Sequence, residues 1–93
     1  MITAIVNINC AVDRIPEVAQ AIADLEGVSE VYSVAGDVDL VALVRVRRHE
    51  DLADIIAGRL NKVEGVQATQ TLIAFQSYSK HDLEATFSLG IES

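Results

Sequence analysis

The chain is 93 residues long, room for one domain, and carries 7 Lys+Arg against 14 Asp+Glu for a formal net charge of −7. That balance argues against a chain that grips nucleic acid by itself, which needs clustered cations to displace counterions from phosphates; only Arg45, Arg47 and Arg48 stand close together. With 51% hydrophobic residues and a mean hydropathy of +0.31, the sequence is too apolar for a disordered segment and carries more apolar side chains than a small monomer easily hides, which suggests self-association.

In chain order, Ile2 to Asn9 is β-branched and aliphatic and bounded by polar residues, so it is expected to be a strand. Pro16 suits the first turn of the next segment, with Asp13 upstream as a cap. Val18, Ala19, Ile22 and Leu25 recur at helical spacing, and Gly27 closes the helix. Val28 to Ala35 is the second strand, and Gly36-Asp37-Val38-Asp39 is a turn cluster leading into a third, Leu40 to Arg47. His49-Glu50-Asp51 puts acids in the first turn of a second helix, which Leu52, Ile55, Ile56, Arg59, Leu60 and Val63 continue up to Gly65. Val66 to Phe75 is the fourth strand. Ser79-Lys80-His81-Asp82 can cap a short C-terminal helix through Phe87.

Slid over itself by 38 residues, the chain aligns without gaps: Ala4–Asn9 falls on Ala42–Arg47 and Glu26-Gly27-Val28 on Glu64-Gly65-Val66. Between those ends Val18 meets Ile56, Ala19 meets Ala57, Ile22 meets Leu60 and Leu25 meets Val63. Each half therefore reads strand, helix, strand. The order βαββαβ, with a right-handed crossover in each half, predicts the ferredoxin-like α+β plan: a four-stranded antiparallel sheet with two helices on one face. The third strand is apolar on both sides, with Leu40, Ala42 and Val44 alternating with Val41 and Leu43. The first strand likewise sets Ile5 against Ala4, Val6 and Ile8. A sheet with one wet face alternates cleanly, so the free face is expected to meet a second copy, in the manner of paired sheets in dimeric α/β barrels.

A lone cysteine, Cys10, rules out an intrachain disulfide. No secretory leader is legible, and the longest apolar run, Leu40 to Val44, is far short of a bilayer span, so the expected compartment is the cytoplasm. A phosphate-binding glycine loop, a Cys-x-x-Cys pair and a nucleophile elbow are all missing, and the two histidines, His49 and His81, stand among charged residues. Nothing in the sequence points to a catalytic residue, a metal or a cofactor. Two features stand out. Gly36-Asp37-Val38-Asp39 reads by itself as a tight hairpin whose acids initiate turns, and Thr69-Gln70-Thr71 reads as β-branched strand.

The run Val34-Ala35-Gly36-Asp37-Val38-Asp39-Leu40-Val41 resembles the Gly-Asp-x-Asp-Leu hairpin of the Lrp/AsnC family, the leucine- and asparagine-responsive regulators. Upstream, Glu26 to Val31 resembles the stretch that precedes it there. Downstream, Val63 to Ile73 resembles that family's Gly-Val-x-x-Thr-x-Thr-x-Ile fourth strand. The resemblance covers residues 1–77 and is to the C-terminal effector domain, called RAM, with residues 78–93 left as a C-terminal extension. Direct gene regulators of the family carry an N-terminal helix-turn-helix. With the first strand starting at Ile2, the resemblance implies a freestanding RAM module without its own DNA reader.

The resemblance further implies homodimers formed by sheet-to-sheet packing, rings of those dimers, and amino-acid effectors bound between them. It carries an effector-binding role to Gly36, Asp37, Asp39, Thr69 and Thr71, with Tyr32 and Gln67 as neighbours without an assigned role. The chemistry suits a zwitterion. Asp37 or Asp39 can accept from its ammonium, while Thr69, Thr71 or backbone N–H groups near Gly36 can donate to its carboxylate. The expected function is an amino-acid-binding, oligomer-forming module that modulates transcription indirectly, by co-assembly with full-length relatives, and is not an enzyme. It contacts neither DNA nor membrane. Two rival readings share the topology. One is an ACT-like amino-acid sensor of an enzyme, although the glycine-rich bend expected after its first strand is absent at Asn9-Cys10-Ala11. The other is a dimeric α+β barrel enzyme, although no histidine lies on an expected strand.

Overall fold

Strand β1 covers Ile2–Cys10, helix α1 Ile15–Ala23, β2 Val28–Ser33, β3 Leu40–Val46, helix α2 His49–Ile56 and β4 Val66–Ile73, with 3-10 turns at Val12–Arg14 and Leu60–Lys62. This computed structural model describes residues 1–78 and residue 80. The expected C-terminal helix, with His81 and the rest of its cap apart from Lys80, lies outside the described residues. The four strands form one antiparallel sheet in the order β2-β3-β1-β4, the ferredoxin-like arrangement expected from βαββαβ.

One face of that sheet is the core. Ala4, Val6, Ile8 and Cys10 of β1 and Leu40, Ala42, Val44 and Val46 of β3 are buried there. Val18 and Ile22 of α1 and Leu52 and Ile55 of α2 pack onto them, joined by Leu60. Both helices bury their apolar side in this one cluster, so both lie on the same face. At nine and eight residues neither helix is long enough to be stable by propensity; packing on the sheet holds them. The opposite face carries Ile5, Val41 and Leu43 half-buried, with Tyr32 and Leu72 each 47% exposed.

Helix boundaries differ from the periodic pattern. Asp13 is no cap: it sits inside the 3-10 turn, where Arg14 N–H donates to Ala11 O, and α1 begins at Ile15 with Pro16 in its first turn. Helix α1 stops at Ala23, and Leu25 reaches the core from a turn in which its N–H donates to Ile22 O. Helix α2 stops at Ile56. At Gly58 a Cβ would strike the Asp54 carbonyl, so the glycine lets the chain tighten there and delivers Leu60 to the core from the following turn. The turns keep Leu25 and Leu60 on the helices' apolar side, which is why the helical period runs on past both helix ends.

The 38-residue repeat is visible in three dimensions. Ile5 pairs directly with its own equivalent, Leu43, so the pseudo-two-fold axis passes between them. Gly27 and Gly65 have φ of +94° and +101°, and each faces the other half's helix. Bulges leave Ser29 and Gln67, again equivalents, as the extra residues of β2 and β4. The pairing registers differ. Ala42 pairs with Val31, but its equivalent Ala4 pairs with Ile73 rather than with Val31's equivalent, Thr69. Strand β4 is thus slid four residues along β1, about 13 Å at strand rise.

Candidate functional site

Six residues, 34–39, join β2 to β3. Gly36 lies at their exposed tip with φ +146°, and nothing stands within 4 Å of where its side chain would be. Asp37 beside it is exposed. Asp39 is half-buried and tied in three ways. Its N–H donates to Ile8 O at 3.0 Å, its carbonyl accepts from Val34 N–H at 3.1 Å, and its Oδ2 accepts from Cys10 N–H at 2.9 Å. The carboxylate therefore stands in for a ladder acceptor at the bulged end of β1, and one of its two oxygens is already committed. Cys10 is buried beside it; burial first, and the Asp39 charge second, push its thiol pKa up.

Thr69 and Thr71 both point to the helix-bearing side of β4, because their pairing partners Ile8 and Val6 do. Thr69 is half-buried and its hydroxyl donates to Asn61 Oδ1 at 2.8 Å; Thr71 is exposed. Thr69 also lines a shallow depression of about 190 Å³ with Asn61, Val66, Gln67 and Ala68. Tyr32 is on the free face, its hydroxyl donating to the Glu30 carboxylate.

The fold brings the two groups to one end of the sheet. Leu40, Ile8 and Thr69 form a row across β3, β1 and β4, so Asp39 and Thr69 flank the end of β1 from opposite sides. Two strand spacings separate them, about 10 Å between backbones. The hairpin acids and the threonines of one chain therefore do not converge on a common cavity. The larger cleft, about 330 Å³, lies at the other end of β3, where it includes Arg45, Arg47 and Arg59. Sequence reading missed Asn61 as the partner of Thr69 and Cys10 N–H as that of Asp39. The second joins residues 29 apart, and only the strand pairing reveals it. Among the described residues no three His, Cys, Asp or Glu side chains are grouped to hold a metal ion, and no helix is long and apolar enough to cross a membrane.

The family model of the Lrp/AsnC ligand-binding domain matches residues 3–83. The crystal structure of TTHA0845 from Thermus thermophilus is 46% identical, covers 86% of this chain and 100% of its own, and superposes with a TM-score of 0.81. A feast or famine regulatory protein of M. tuberculosis, Rv3291c, solved in complex with L-methionine, is 30% identical with a TM-score of 0.65, over 86% of this chain and 54% of its own. The HTH-type transcriptional regulator LrpA of Pyrococcus horikoshii is 34% identical over 70% of this chain and 46% of its own length. An uncharacterized HTH-type regulator of the same organism, PH1916, is 41% identical over 63% and 39%. The chain thus spans about half or less of the curated regulators it matches. The hairpin and fourth-strand motifs, the sheet order and these matches agree: the chain belongs to the Lrp/AsnC family and carries its ligand-binding domain.

Proposed function

We propose that the protein is an amino-acid-binding assembly module, whose effector is held where the hairpin of one copy meets the β4 edge of another. The observation that carries this reading is the separation of the candidate residues. The ammonium and carboxylate of an α-amino acid lie a few ångströms apart, whereas Asp39 and Thr69 of one chain sit about 10 Å apart across β1. A site using both sets is completed by a second chain. Asp37 and the free oxygen of Asp39 suit the ammonium. Thr71, exposed on the edge, and N–H groups beside Gly36 suit the carboxylate. The methionine complex of the M. tuberculosis relative supports the ligand class.

The half-buried apolar set of Ile5, Val41 and Leu43, continued by Leu72 and Tyr32, supports a dimer through the free sheet face, from which a ring of dimers can grow. The net charge of −7 and two helices that bury their sides on the sheet support action by co-assembly with full-length relatives rather than by direct DNA contact. Relatives named as transcriptional regulators support a regulatory, non-enzymatic role in the cytoplasm.

Calorimetric titration of an L-amino-acid panel into wild type and Thr71→Val tests the reading. Thr71 is exposed and valine keeps strand propensity, so the variant stays folded; binding of the matching amino acid should weaken by roughly 1–3 kcal/mol. Asp37→Asn provides the second arm, since Asp39→Asn also loosens the end of β1. Unchanged affinity in both variants would return the hairpin to a plain turn and the threonines to plain strand.

A further inference from the structure

The four-residue slide of β4 leaves the two halves with different ends. Strand β4 covers the end of β1: Val66 pairs with Cys10, and Ala11 N–H donates to Gly65 O at 2.9 Å. Strand β2 stops short of the end of β3. Its last links there are the Val28–Val44 pair and Arg45 N–H donating to Gly27 O at 2.8 Å, and Val46 and Arg47 run on without a β2 neighbour. The space β2 does not fill, under α2, is the cleft of about 330 Å³.

Its lining is chemically selective. Val46 and Ile55, 7% and 8% exposed, make an apolar floor. Arg45, Arg47 and Arg59 line it, three of the chain's seven Lys+Arg. None of the three makes an ion pair among the described residues, although Glu26, Asp51 and Asp54 share the cleft. Asp51 is taken by Arg48 at 3.2 Å. Three arginines and two acidic residues without an ion pair among the described residues therefore border one small, partly apolar space.

We propose that this cleft is a second binding site for a small zwitterion of the α-amino-acid class. The ligand carboxylate is held by Arg47 and Arg59, its ammonium by Glu26 or Asp54, and its side chain lies over Val46 and Ile55. A simple polyanion fits worse, because the carboxylates repel it; a cation fits worse because the guanidinium groups do. The cleft stands at the end of β3 away from Gly36 and Asp39, about 20 Å along the strand from Leu40. It adds a site to the reading above and shares only the ligand class with it.

Titration calorimetry on the full chain with L-leucine, L-methionine and inorganic phosphate, in wild type, Arg47→Gln/Arg59→Gln and Asp37→Asn/Thr71→Val, decides it. All four substituted residues are exposed, so the variants remain folded. The expected result is two classes of amino-acid site in wild type. The arginine variant weakens one at least tenfold, and the hairpin–edge variant weakens only the other. If the arginine variant binds both amino acids as wild type does, the inference is overturned while the hairpin site stands. Loss confined to the arginine variant upholds the cleft and removes the hairpin site. Phosphate binding that outcompetes the amino acids at the cleft, or no amino-acid binding in wild type, overturns the proposal.

Discussion

The first half of the chain, Ile2–Ser33, and the second, Leu40–Ile73, keep the same local devices and differ in how their strands meet. The left-handed glycines, the bulges and the core positions Ile22 and Leu60 recur at the 38-residue offset. The pairing does not. A six-residue connection ties β2 to β3 and fixes their register. Strand β4 follows α2, has no such tie to β1, and slides four residues. An even slide keeps every side chain on its face, so the core is untouched while the sheet's ends change. The candidate functional residues lie where the halves diverge. Thr69 stands where the first half has Val31, and Thr71 where it has Ser33. The hairpin residues Gly36 to Asp39 fall between the two repeats.

The shared devices can be broken most severely at the core. Ile22→Ala and Leu60→Ala remove equivalent side chains that are fully buried, one from a helix and one from a 3-10 turn. Each should cost about 2–5 kcal/mol in urea denaturation at fixed protein concentration. A Leu60 cost below about 1 kcal/mol, outside that range, would separate the 3-10 turn from the core and end the equivalence.

The glycines should come next. Gly27→Ala puts a Cβ into the Ile55 side chain of α2, and Gly65→Ala puts one 2.7 Å from the Val18 side chain of α1, both at positive φ. Backbone strain of about 1–3 kcal/mol is expected at each, with crowding added. Gly36→Ala meets open space and should cost less than either, with strain alone. Thermal melts of the three variants check the order; a Gly36 variant as damaged as the other two would mean that its loop is packed rather than free.

Which parts of this were legible follows from the range of the interactions. The β-branched and aliphatic runs Ile2–Asn9 and Leu40–Arg47, helical spacing through Val18 and Ile22, and the glycines that follow the helices are local signals, and they located the elements. The family motifs marked the hairpin and fourth strand. Helix ends were misread because Leu25 and Leu60 stay on the core side through turns, so the helical period continues where the helix does not. The slide of β4 was invisible because an internal alignment says which residues are equivalent, never which ones pair. With it went the engagement of Asp39 by Cys10 N–H, the contact of Thr69 with Asn61, and the cleft that gathers Arg47 with Arg59.

The subtlest consequence of the slide is at Cys10, whose repeat equivalent is Arg48. Cys10 is covered because β4 reaches it, at Val66; Arg48 lies beyond β2 and is exposed, and among the described residues it pairs with Glu50 and Asp51. Burial, and then the Asp39 carboxylate that accepts from Cys10 N–H, raises the thiol pKa in the folded chain above its unfolded value. The folded state thus holds this proton more tightly. Its contribution to stability is fully present below the ordinary thiol pKa of about 8.5 and is lost as pH rises through the higher folded value. One proton limits the slope to about 1.4 kcal/mol per pH unit. Cys10→Ala removes that proton while leaving a small buried apolar residue. Denaturation of wild type and variant from pH 7 to 10 should therefore show the wild type losing stability faster above about pH 8.5, with parallel curves below it. Parallel curves throughout would mean that the end of β1 opens to water before the thiol ionises, and that the cover β4 gives Cys10 is no tighter than the cover β2 withholds from Arg48.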